Sequence, residues 1–208
     1  MLAEKRYEIL QNNVCWTTDP DEYQRVRGDT SIMLAIWREL RFGGDLPLCP
    51  ILVTDDTEGL SGDGSTLACY RTFTDGSTCI VLDVTACVVS AFFTRQTLYK
   101  VIAESLLHEM VHHWCRVNGI KDTEADGTHN EAFRDAARAH GLTCRKGTQG
   151  FNRTRVRPGG WQSFMRIAEG IHAYDAWRGF DDELMPTLAS LMRTTHVAES
   201  VAWALMAA

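Results

Sequence analysis

The chain has 208 residues, 45% of them hydrophobic and 23% charged, with a formal net charge of −6. Such a composition suits a globular protein with a real core and excludes a disordered, collagen-like or strongly polycationic chain. Seven cysteines without a C-x-x-C pair argue against a disulfide scaffold or zinc ribbon and predict reduced thiols. MLAEKRYEIL at the start is charged too early for a secretory leader. The most apolar stretch, 79–93, is broken by Asp83 and is shorter than the ~20 residues of a membrane span. The expectation is a soluble, cytoplasmic protein with no membrane partner.

In chain order, the segment up to about residue 41 reads as helix, with Ile32, Ala35, Ile36 and Leu40 on one face. RFGGDLPLCP (41–50) breaks that pattern. CPILVT (49–54) reads as a short strand and 55–65 as loop. Residues 66–73 and 77–84 are rich in β-branched and aromatic residues, and the Asp75-Gly76 pair between them signals a hairpin. The first half is thus an N-terminal helix followed by about three strands, mostly antiparallel. Residues 95–118 read as one long helix ending at Gly119, apolar nearly all round and therefore buried. A polar loop and a second helix, stopped by Gly141, come next. The stretch 144–160 is basic and irregular or extended, and helical patterning returns at Trp161. The expected division is a domain over 1–158 and a helical C-terminal extension over 159–208.

The long helix contains His108-Glu109-Met110-Val111-His112, an H-E-x-x-H. Residues four apart on a helix differ by only ~40° in direction and ~6 Å in height, so both imidazoles can bind one zinc ion. Glu109 lies beside them, placed as a general base towards water rather than as a ligand. A histidine-bearing core helix is the bland alternative, but two histidines and a glutamate on an apolar helix are costly unless ligated or paired. A catalytic zinc needs a third ligand, and His113, Glu124, Asp126, His129, Glu131 and His140 are candidates. His113 lies ~100° round the helix from His112 and His140 ~16 Å beyond His129. His129 follows a loop long enough to fold back, with Phe133 and Ala137 on the docking face of the next helix, and is the preferred ligand. Cys115 and Cys144 read as buried thiols. Glu104, one turn before His108, reads as a helix-surface glutamate more readily than as a residue that orients a ligand.

These residues resemble the SprT-like zinc metallopeptidases, the family of bacterial SprT and the catalytic domain of Spartan. FGGDLPLCPILVTDD resembles the family's segment leading into its first strand, and LACYRTFTDGSTCIVLDVTA its hairpin. LLHEMVHHW resembles its zinc helix, and GTHNEAFRDAARAHGL its third-ligand segment; together the likeness spans about 28–143. The resemblance implies a small zincin-like α+β core, one zinc on His108, His112 and His129, and Glu109 as general base. It also implies a protein substrate bound along an edge strand near 78–84. Many members carry a C-terminal zinc ribbon; with only Cys144 beyond the core, none is expected in these 208 residues.

Relatives of the Spartan type act on proteins attached to DNA. Here the matching feature is basic: residues 144–178 hold seven basic side chains against two acidic ones. Arg153, Arg155 and Arg157 are candidate contacts to single- or double-stranded DNA, with Phe151 and Trp161 available for stacking. The equal alternative is a solvated basic loop on an acidic body. The leading reading is a zinc endopeptidase, DNA-associated through this stretch. The alternative is a zinc-stabilised nucleic-acid- or protein-binding module with little or no hydrolysis, and a third reading, a metal-dependent amidase, requires a deep closed pocket.

Overall fold

A computed structural model describes residues 20–54 and 66–177. The expectations for residues 1–19, the 55–65 loop and the tail beyond 177 lie outside these. The elements are α1 (Pro20–Phe42), β1 (Ile51–Thr54), β2 (Ala68–Thr72), β3 (Thr78–Asp83), α2 (Val84–Thr94) and α3 (Leu98–Val117). After them come α4 (Glu131–Ala139), β4 (Leu142–Gly147), β5 (Gly150–Val156) and α5 (Pro158–Trp177). The architecture is mixed α+β, with a three-stranded sheet of order β1-β3-β2 and a separate β4-β5 hairpin.

Helix α3 is the hub. It packs on the sheet, α1, α2, α4 and β5, and Val101, Ile102, Leu106, Leu107, Met110 and Val111 are all buried, as expected of a helix apolar nearly all round. Thr97 caps its start, the Thr97 hydroxyl accepting from the Lys100 N–H at 3.3 Å. The helix α1 is pinned to it by Trp37, whose indole N–H donates to the Ala103 carbonyl at 2.8 Å. Trp37 also stacks on Phe164 of α5 at 4.3 Å between centroids. The first part of the expected C-terminal extension therefore contributes a side chain to the same core that holds α1 and α3.

Three expectations are corrected. Residues 84–94, expected in no helix and with their first residue expected at the end of a strand, form α2, and α3 begins at Leu98 rather than at residue 95. An uninterrupted apolar run has no helical or strand period to distinguish the two. The sheet has one parallel pair, β1 with β3, beside the antiparallel pair of β2 and β3. Residues 78–83 are consequently the central strand, with Cys79 to Asp83 all buried, and not an edge; among the described residues β1 and β2 are the edges. Of the two readings of 144–160, irregular or extended, the extended one holds: most of it is a hairpin running into α5, with Arg145 opposite Arg153 and Thr143 opposite Arg155.

The six cysteines among the described residues are free. Burial pushes the Cys79, Cys87 and Cys115 thiols up to about 12, which keeps them protonated and inert. Among the described residues no helix is long and apolar enough to cross a membrane.

Candidate metal centre

His108 and His112 stand one turn apart on α3, and His129 reaches them from the loop before α4. The three Nε2 atoms converge: 3.1 Å from His108 to His129, 3.0 Å from His112 to His129, and 3.3 Å from His108 to His112. Three neutral imidazoles cannot all hydrogen-bond one another through these atoms, since each bond needs a proton that only one nitrogen carries. Nitrogens at about 2.0–2.1 Å from one tetrahedral ion would lie about 3.3 Å apart. The triangle therefore fits a single metal ion, and the three histidines are positioned to hold one.

The opposite ring nitrogens explain how the lone pairs come to face inward. His112 Nδ1 lies 2.6 Å from Asp122 Oδ2, His108 Nδ1 2.9 Å from Thr154 Oγ1, and His129 Nδ1 3.2 Å from the Gln149 carbonyl. The Asp122 carboxylate and the Gln149 carbonyl can only accept, so His112 and His129 carry their protons on Nδ1 and leave Nε2 unprotonated; the Thr154 hydroxyl can accept from His108 in the same way. Electrostatics agree. Burial, then the positive potential of His112 and His129, holds His108 well below the usual imidazole range. Burial and His112 bring His129 down to about 4. Phe133, fully buried on α4, packs its ring 4.5 Å from those of both His112 and His129. Phe133 and Ala137 do face α3, as the sequence predicted; both are buried.

Glu109 is buried, between His108 and His112 in sequence. Burial raises its carboxyl, while His112 and the backbone N–H of Tyr70 act in the opposite direction. Tyr70 lies on β2. Asp83 donates to the Leu67 carbonyl and Phe73 to that of Ser77, so odd-numbered residues of β2 pair with β3. Ala68, Tyr70 and Thr72 direct their peptide groups to the free side of the sheet, where Tyr70 meets Glu109.

The other candidates are placed elsewhere. His113 is buried, its Nδ1 3.1 Å from the Tyr70 hydroxyl and its Nε2 donating to the Pro47 carbonyl at 2.9 Å, so it packs, as anticipated. His140 stacks on Phe42 and donates to the Arg41 carbonyl at 2.8 Å. Glu131 pairs with Arg134 and Glu124 with Lys121, while Asp126 accepts from the Thr128 N–H. Glu104 corrects the expectation from sequence: it is neither a surface residue nor an orienting one. It is buried, accepts from the Val156 N–H at 3.2 Å, and pairs with Arg155 at 3.4 Å.

The three arginines are only partly brought together. Arg153 and Arg155 share the exposed face of β5, next to Arg145 of β4. Arg155 is engaged by Glu104, and Arg157 donates to the Arg138 carbonyl at 3.2 Å. The rings expected to stack on bases are also engaged. Phe151 lies under Arg134 at 5.1 Å; Trp161 lies between Lys100 at 5.5 Å and Phe164 at 5.3 Å.

Sequence reasoning missed Asp122, Thr154 and Gln149. Asp122 was the nearest to being found, as an acid in the loop between the H-E-x-x-H helix and His129; no spacing rule points to Thr154 or to a backbone carbonyl. Comparison with known proteins found no matching family model, no matching curated protein and no matching solved structure.

Proposed function

We propose that this chain is a zinc-dependent endopeptidase of the SprT-like class, with a zincin-like core, acting on extended segments of protein substrates. The observation that carries the reading is the convergence of three imidazole Nε2 atoms within 3.3 Å of one another on an H-E-x-x-H helix whose glutamate is buried beside them. An all-nitrogen donor set suits zinc, and a zinc ion held there would supply a Lewis acid and a water acidic enough to ionise near neutrality. Among the described residues the cluster has three members, which fits a catalytic site with an open position better than a closed structural one.

The residues divide the work. His108, His112 and His129 bind. Asp122, Thr154 and the Gln149 carbonyl fix the tautomers. Glu109, kept in a low-dielectric setting that favours proton exchange, accepts a proton from the attacking water and delivers it to the leaving amine. The outward peptide groups of Ala68, Tyr70 and Thr72 offer an edge to which a substrate strand can add, and Tyr70 brings that edge against Glu109. Strand addition reads main chain rather than sequence, which suits varied protein substrates. Nucleic acid is the accessory partner in this proposal, following the exposed Arg145 and Arg153.

The test is Glu109→Gln. We expect retained zinc with hydrolysis of an unstructured protein substrate reduced about 10²–10⁴-fold. Equal turnover by the variant and the wild type would overturn Glu109 as the base. Full zinc occupancy with no hydrolysis by the wild type of any unstructured substrate would favour the binding module.

A further inference from the structure

Two of the three histidines are oriented by a hairpin that belongs to neither the H-E-x-x-H helix nor the third-ligand segment. Thr154 projects inward from β5 between the outward Arg153 and Arg155, and its hydroxyl meets His108 Nδ1 at 2.9 Å. His129 is seated as a single-residue strand on the start of β5, bridging to Gly150 on one side and to Thr123 on the other. Its N–H donates to the Gln149 carbonyl at 3.2 Å, and its own carbonyl accepts from the Phe151 N–H at 3.1 Å. That same Gln149 carbonyl also meets His129 Nδ1. Gly150 makes the seat possible: its φ of +71° lies in the left-handed region, and a Cβ there would overlap the His129 carbonyl.

The hairpin is in turn fastened to α3 one turn before His108. Glu104 accepts the Val156 N–H on one oxygen, and its other oxygen forms an ion pair with Arg155 at 3.4 Å. Contacts serving only to pack the hairpin would be apolar and indifferent to the ligands. These are polar, directed, and end on the second nitrogen of two ligands, where such partners set ligand basicity and ring orientation.

We propose that the β4–β5 hairpin is a working part of the metal centre, with Thr154 a positioning residue for His108 and the Gln149–Phe151 backbone the seat of His129, so that metal loading and hairpin docking form one linked equilibrium. Linkage is reciprocal: an ion that binds better to the docked hairpin must stabilise docking by the same factor. The inference rests on the metal-binding part of the proposed function and is independent of what the site hydrolyses.

The experiment uses the full chain and two probes. Zn²⁺ affinity is measured by competition with a chromophoric chelator, and Co²⁺ is substituted to report ligand geometry through its visible spectrum. Thr154→Val, which keeps shape and removes the hydroxyl, is expected to weaken Zn²⁺ binding about 10–100-fold and to alter the Co²⁺ spectrum; Thr154→Ser is expected to restore both. In the wild type, Zn²⁺ is expected to slow amide hydrogen exchange across 149–156. Wild-type Zn²⁺ affinity and an unchanged Co²⁺ spectrum in Thr154→Val would overturn the positioning role. Exchange across 149–156 that ignores Zn²⁺ would overturn the linkage, and this readout needs only the wild type, so it holds even if the variants fail to fold. Absent hydrolysis alongside the expected metal results would remove the peptidase reading and leave the hairpin's role intact.

Discussion

Asp122 sets the direction of His112 more directly than any other side chain. Its carboxylate lies 2.6 Å from Nδ1, the arrangement in which a carboxylate raises the basicity of a metal-binding imidazole and fixes its tautomer. The loop holds it in place, with the Asn130 N–H donating to the Asp122 carbonyl and the Asn130 side chain to that of Lys121. Asp122→Ala is expected to lower zinc affinity about 10–100-fold, with hydrolysis at saturating zinc reduced less than in Glu109→Gln. Chelator competition beside zinc-saturated turnover separates the two effects. Equal zinc affinity in Asp122→Ala and the wild type would show that the loop, rather than the carboxylate, orients His112. At this same scale His113 shows how adjacency in sequence misleads. It follows a ligand directly, yet the helix turns it ~100° away to meet Tyr70 and Pro47.

Elements carry two faces each, and the hairpin makes the clearest use of them. The period of two in β5 sends Thr154 to the metal centre and Arg153 and Arg155 outward. Across the strands Arg145 lies opposite Arg153, a like-charged pair that is unfavourable by itself and is relieved by an anion. Among the described residues no carboxylate pairs with either. Replacing both by Gln is therefore expected to weaken binding to single-stranded DNA and to reduce its salt slope by about 0.7 for each phosphate no longer neutralised. Binding titrations at several salt concentrations would show this. An unchanged slope would place nucleic acid elsewhere or remove it from the proposal. Arg155 and Arg157 are poorer subjects for this test, because their side chains already meet Glu104 and the Arg138 carbonyl.

At the scale of the whole molecule, an ion held by the three clustered imidazoles would link metal loading to stability. Any ion that binds the fold and not the unfolded chain adds stability by mass action, about 2.7 kcal/mol at a hundred times its Kd. Chelation is expected to lower Tm accordingly. In the metal-free protein, His129 is brought down to about 4 from its ordinary 6.5. A depressed pKa means that the fold prefers the neutral ring. That contribution is complete above pH 6.5 and is lost as pH falls through about 4. The urea midpoint of the metal-free protein should therefore fall between those values, and less steeply in His129→Ala. Identical pH dependence in the two proteins would show that His129 gains its proton without cost to the fold.

Much of the centre was legible because local rules govern it. The four-residue spacing of His108 and His112 follows from helical pitch, and buried ionisable groups on an apolar helix call for a ligand. Phe133 and Ala137 at helical spacing after His129 indicated how the third ligand returns. By itself the sequence determined the H-E-x-x-H helix, the three histidines that cluster and the hairpin at Asp75-Gly76. Tertiary structure alone decided what has no local signature. The pairing of β1 with β3 moved the free edge from β3 to β2, because strand order depends on contacts between segments distant in the chain. The burial of Glu104 under β5 and the reach of Asp122, Gln149 and Thr154 to the ligands' second nitrogens depend likewise on which surfaces meet. A side chain's or carbonyl's partner far along the chain is set by packing, and packing is not periodic.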